Sequence, residues 1–85
     1  MSTNVRQMFF TKLRNDFYNR LLHQELAGWQ PNIVTTIVDE AINANMANIN
    51  NYLQNNEVML LDMGAHVNQI IEQFLLPYLG TKRVL

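Results

Sequence analysis

The sequence predicts an all-α protein: an antiparallel up-down-up three-helix unit, completed by self-association. Three observations lead there. Apolar residues recur at helical spacing in three segments, at about 3–27, 32–54 and 57–76. The two breaks between them are short, which makes neighbouring helices antiparallel. The chain has 85 residues and no Cys, so neither a disulfide nor a Cys-based zinc site can support its small core. A single domain of this size then relies on close helix packing or on a second chain.

In the first segment, Ser2 or Thr3 can cap the start. Gly28 supplies a left-handed stop, and Pro31 follows it. Trp29 lies between them and is expected to fold back over the bundle end. Phe10, Leu13, Phe17 and Leu21 form one stripe at 3-4-4 spacing. Tyr18, Leu22 and Leu26 form a second at 4-4 spacing, rotated by roughly 100°, with Met8 near it. One stripe packs inside the monomer, and the other needs a cover.

The second segment opens with residues 33–38, a run with strand propensity. Context argues for a helix. Val34, Val38, Ile42, Met46, Ile49 and Leu53 step 4-4-4-3-4, and no second strand exists to pair with the run. The start falls at Asn32 in preference to Thr36. Seven of the fourteen residues 43–56 are Asn, a poor helix former. That face either docks on protein, where amides are cheaper to desolvate than charges, or has no structural meaning.

Asn55 or Asn56 is expected to cap the third segment, with Glu57 in its first turn. Leu60, Met63, Val67, Ile70 and Phe74 step 3-4-3-4, a heptad seam. Leu61, Ile71, Leu75, Tyr78 and Leu79 widen the apolar arc beyond the roughly 100° of an ordinary surface helix. Gly64 weakens the middle by about 1 kcal/mol relative to Ala. Pro77 kinks or ends the helix, Gly80 closes it, and residues 81–85 form a tail.

The net charge of −1 hides an asymmetry. Residues 1–24 hold Arg6, Lys12, Arg14 and Arg20 against the single acid Asp16. Residues 25–81 hold six acids and no Lys or Arg, and Lys82 and Arg83 follow. A helix-turn-helix reader needs basic residues on its recognition helix to reach phosphates, and the last two segments have none. Nucleic acid is therefore the second reading, through Arg6, Lys12, Arg14 and Arg20, which lie at scattered angles around the first helix.

Catalytic chemistry finds little footing. Asp62 and His66, four apart on one helix face, are too few for a metal site and read as a surface ion pair. Ser2 is the only Ser, the three glycines are isolated, and Asp39 and Glu40 are adjacent and point apart. No enzyme activity, cofactor or metal is expected. Residues 1–20 lack the apolar core of a signal peptide, and no stretch approaches the roughly 18 apolar residues of a membrane span. The expected location is intracellular, in the cytoplasm, and a short Asn-rich frame without Cys also suits a viral protein in a host cell or virus particle.

The expected function is that of a non-enzymatic interaction or assembly protein, such as a structural subunit or a small inhibitor. Its partner is another protein, a second copy of itself, or both. The expected contact residues are Tyr18, Leu22 and Leu26 on the first helix and Leu61, Leu75 and Leu79 on the third.

Overall fold

The computed structural model describes all 85 residues, and its regular elements are all helical. Helix α1 spans Thr3–Arg20. The Ser2 hydroxyl starts it by accepting the Val5 N–H at 3.2 Å. Phe9, Leu13, Phe17 and Leu21, four apart, are fully buried. The stripe therefore starts at Phe9 and not at Phe10. Both fit a helical period, and rotation of α1 against its neighbours selects one of the pair. Phe10 is half-buried, edge-on to Phe9 and beneath the Arg6 guanidinium, which lies 4.9 Å from its ring centroid.

A π-turn, Leu21–Glu25, extends α1. Its signature is the Leu26 N–H bonded to the Leu21 carbonyl at 2.7 Å, one residue further than in an α-helix. The extra residue rotates Leu26 away from Tyr18 and Leu22 and onto the face of Leu21. Gly28 then turns the chain with φ at 92°. Trp29 does not fold over the bundle end, since 44% of its surface remains exposed.

Helix α2, Pro31–Ala44, begins at a proline whose missing N–H is no loss in a first turn. Residues 33–38 are helical despite their β-branching, with Val34 and Val38 facing inward. The Thr35 and Thr36 hydroxyls fold back onto the Pro31 and Asn32 carbonyls. The expected single helix over 32–54 is broken at Asn45, which leaves helical geometry with φ −106° and ψ 14°. Its side-chain amide donates to the Ala41 carbonyl at 2.8 Å, competing for the acceptor a regular helix would use. Helix α3, Met46–Asn55, resumes beyond it and buries Ile49 and Leu53.

The third segment starts later than its residues suggest. The Asn56 amide donates back to the Tyr52 carbonyl and so finishes α3 instead of starting a new helix. Residues 57–59 are not helical, and Val58 is buried. A 3-10 turn, Leu60–Asp62, leads into α4, Met63–Ile70, which runs unbroken through Gly64. A second π-turn, Ile71–Leu75, joins α4 to α5, Leu76–Thr81. In it the Leu76 N–H reaches the Ile71 carbonyl. This wider turn precedes Pro77 and lets the helix continue past a residue that breaks a regular one.

The chain then closes with a Schellman motif. The Val84 N–H bonds the Leu79 carbonyl at 3.0 Å, and the Arg83 N–H bonds the Gly80 carbonyl at 3.1 Å. Arg83 occupies the left-handed position with φ at 59°, where glycine is usual. Val84 packs onto the core, so residues 81–85 are not a free tail.

The topology is up-down-up. Tyr52 meets His66, and Glu40 meets Tyr78, so α2 and α3 run antiparallel to α4 and α5. Arg20 meets Glu72, 52 residues on, and Lys12 lies against Gly64 at the same separation, so α1 and α4 are parallel. Eighteen buried apolar residues form one cluster. The core is thus closed by a single chain, and what remains apolar lies on the surface.

Candidate functional site

Of the six residues expected at an interface, the fold places three inside its own core. Leu26, Leu75 and Leu79 keep at most 2% of their surface. The first π-turn explains Leu26, because its inserted residue sets Leu26 on the buried face of Leu21, while Leu75 and Leu79 follow the buried Ile71 at four-residue spacing. Tyr18 and Leu22 are half-buried at the edge of the same core. Leu61 alone is free, with 99% of its surface exposed.

Leu61 does not stand alone. Met59 and Leu60 before it are more than half exposed. Leu60 was expected in the heptad seam, but it precedes the helix that carries that seam. The turn presenting these side chains is held by Asp62, whose Oδ1 accepts the Met59 N–H at 2.9 Å, while the Asp62 N–H returns to the Met59 carbonyl at 3.2 Å. Next to the turn lies an open groove of about 700 Å³ along α1. Met8 and Met63 are its apolar lining, and Asn4, Gln7, Thr11 and Asn15 supply neutral polar groups. Lys12 and Asp16 complete it, paired at 3.1 Å across one helical turn. Met63, at the start of α4, is the residue of the groove nearest the turn in sequence.

Asp62 and His66 do approach each other, with Oδ2 at 3.4 Å from Nε2. The His66 ring also shares a 2.6 Å hydrogen bond with the Tyr52 hydroxyl through Nδ1. With the ring proton on Nε2, the nitrogen facing Asp62, Nδ1 accepts from the Tyr52 hydroxyl. Burial raises the Tyr52 pKa above its ordinary value, and the negative charge of Asp62 adds to the effect. This chain of groups ties α3 to the start of α4. Its three members are all engaged, and no third acid or imidazole joins Asp62 and His66 to make a metal cluster.

Three of the four basic residues of α1 bond groups on later elements, and Lys12 pairs within the helix. Arg6 donates to the Asn50 amide oxygen at 2.7 Å. Arg14 pairs with Asp39 on α2 at 3.2 Å, and Lys12 pairs with Asp16. Arg20 bridges Glu25 at 2.7 Å and Glu72 at 3.0 Å. Its hydrogen bonds to the Glu72 and Glu25 carboxylates raise its pKa further, so it stays charged throughout. The charge asymmetry of the sequence thus becomes a complementarity between a basic first helix and acidic neighbours. Asn50 and Asn45 find partners inside the chain, and Asn55 bonds Asn51, so much of the Asn-rich stretch serves local structure.

Sequence reasoning missed Met59 and Leu60 as surface groups. The available signal was Asp62 three residues after Met59, the spacing of a cap. It had no signal for Tyr52 with His66 or Arg20 with Glu72, which meet only through folding. No helix is long and apolar enough to cross a membrane. No protein-family model, curated protein or solved structure matches this chain.

Proposed function

We propose that the chain is a non-enzymatic interaction or assembly protein that docks another polypeptide through the turn at residues 59–61 and the adjoining groove of α1. One observation carries the reading: a fully exposed Leu61, preceded by two further exposed apolar side chains, on a turn closed by the Asp62 carboxylate. Single exposed leucines are ordinary, but a contiguous apolar patch beside a groove marks an interaction surface. A turn already ordered in the free protein loses little entropy on binding.

Two further points support this reading over its rivals. Phosphates would have to compete with Asp16, Asp39, Glu25 and Glu72 for three of the four α1 cations. The Tyr52–His66–Asp62 chain is occupied in joining two helices, not poised over a cavity. The proposed setting is inside a cell or virus particle.

Photo-crosslinking tests the proposal. A photoreactive residue at position 61 is expected to trap a defined polypeptide, whereas one at the exposed Asn43 is not. Capture should also fail with Leu61→Asp, whose helicity should match the parent. Equal adducts at both positions, or capture indifferent to Leu61→Asp, would overturn the reading. Binding of a DNA duplex that collapses between low and moderate salt would point to the basic residues instead.

A further inference from the structure

We propose that Met59 is a site of reversible sulfoxidation by peroxide, and that its sulfoxide holds the 59–62 turn more firmly than its thioether does. The inference concerns the turn in the free chain and stands apart from the docking reading.

Two observations meet at this residue. The first is access. Met59 keeps 54% of its surface, whereas Met63, at the start of α4, keeps 4% and belongs to the core. A peroxide molecule reaches the Met59 sulfur in the folded chain but not that of Met63. The second is the role of the sulfur. Met59 is the N-cap of the Leu60–Asp62 turn, and its side chain accepts the Asp62 N–H. The Asp62 carboxylate accepts the Met59 N–H in return. Such a reciprocal box ordinarily uses the hydroxyl of Ser or Thr as its first acceptor. A thioether is a weak acceptor and fills that position poorly. Met1 and Met8 are also exposed, but Met1 precedes the Ser2 cap and Met8 lies within α1, so neither sulfur caps a helix.

The reaction balances with hydrogen peroxide as the oxidant. A sulfur lone pair attacks one peroxide oxygen, so an S–O bond forms and the O–O bond breaks. The sulfur is oxidised by two electrons. The other oxygen takes up the proton of the first and leaves as water. The product carries a strong acceptor one bond from the sulfur, within reach of the same N–H. Oxidation of a core methionine disrupts packing. At Met59 the added polarity faces water, and the cap gains the acceptor it lacked. Sulfoxide reductases reverse the change. The turn thereby trades one of its exposed apolar side chains for a polar one without unfolding.

Peptide mass spectrometry after mild hydrogen peroxide treatment of the full chain should find Met59 oxidised and Met63 intact. Amide hydrogen exchange at Asp62, read by NMR, should then slow by a factor of about 2–30, the gain of a good cap over a poor one. A sulfoxide reductase should restore the original rate. Met59→Leu keeps an apolar side chain without the sulfur, and its Asp62 exchange should not respond to the same treatment. Protection of Met59 equal to that of Met63 overturns the proposal. So does Asp62 exchange that is unchanged or faster after oxidation, or that slows equally in Met59→Leu.

Discussion

The Tyr52 hydroxyl lies 2.6 Å from Nδ1 of His66 and ties the end of one helix to the beginning of another. Tyr52→Phe removes this bond and keeps the ring, so it should lower stability by about 0.5–1.5 kcal/mol at neutral pH. Urea denaturation of the two proteins measures the difference.

The same residue sets an alkaline limit. Its folded pKa is raised above the ordinary tyrosine value of 10.0, chiefly by burial. Its contribution is therefore fully present below the unfolded pKa. It is lost as pH rises from about 10 through the folded value, because the unfolded chain releases the proton first. Tyr52→Phe should flatten this fall in stability above pH 10. An ultraviolet titration should show Tyr52 ionising later than in the unfolded chain.

Arg20 ties the π-turn that extends α1 to Glu72 in the second π-turn. In a regular helix, residues five apart diverge, and the wider π-turn brings Arg20 and Glu25 together. Arg20→Met should cost about 1 kcal/mol, the upper end for a pair that water still reaches. The loss should shrink in high salt. A double-mutant cycle with Glu72→Gln would isolate the inter-helix part.

Three backbone positions give predictions of opposite sign. A methyl group at Gly64 would meet only the Lys12 side chain, at an ordinary 3.5 Å, so Gly64→Ala should stabilise α4 by up to about 1 kcal/mol. Arg83→Gly should also stabilise, by about 1 kcal/mol or less, because Arg83 sits in the left-handed region. Gly28→Ala should destabilise by about 1–2 kcal/mol for the same reason in reverse. Thermal melts of the three variants check the signs.

Leu26 and Leu61 were expected to act alike, and the fold separates them. Leu26→Ala should cost about 2–5 kcal/mol, as a cavity in a closed core does. Leu61→Ala should change monomer stability by no more than about 0.5 kcal/mol, since the side chain touches water on nearly every side. Denaturation at concentrations low enough to keep the chain monomeric compares them. A large loss for Leu61→Ala would mean that the turn is packed and cannot be a docking surface.

Much of the architecture was legible in the residues themselves. Helical spacing identified three segments, overruled the strand propensity of residues 33–38 and placed Leu13, Phe17, Val34, Val38, Val67 and Ile70 in the core. Ser2, Gly28 and Pro31 marked one start and one turn by their local chemistry. Short connections implied the up-down-up order. These features depend on neighbours within a turn or two, which the order of residues specifies directly.

The site depended on what the sequence does not specify locally. Periodicity relates residues along a regular helix, but it does not choose the rotation of that helix against another. Packing chose Phe9 over Phe10. Two π-turns and the break at Asn45 interrupted regular helix geometry, and the first π-turn set Leu26 five residues after Leu21 on the same buried face. Leu26 moved into the core in this way, the packing of the last helices put Leu75 and Leu79 there in step with Ile71, and Leu60 and Leu61 were left outside by a helix that starts later than its apolar pattern. The sequence alone determined three amphipathic helices and their order. Tertiary structure decided which apolar residues remain on the surface, because a single inserted residue turns a helix face by about 100°, the width of an ordinary stripe.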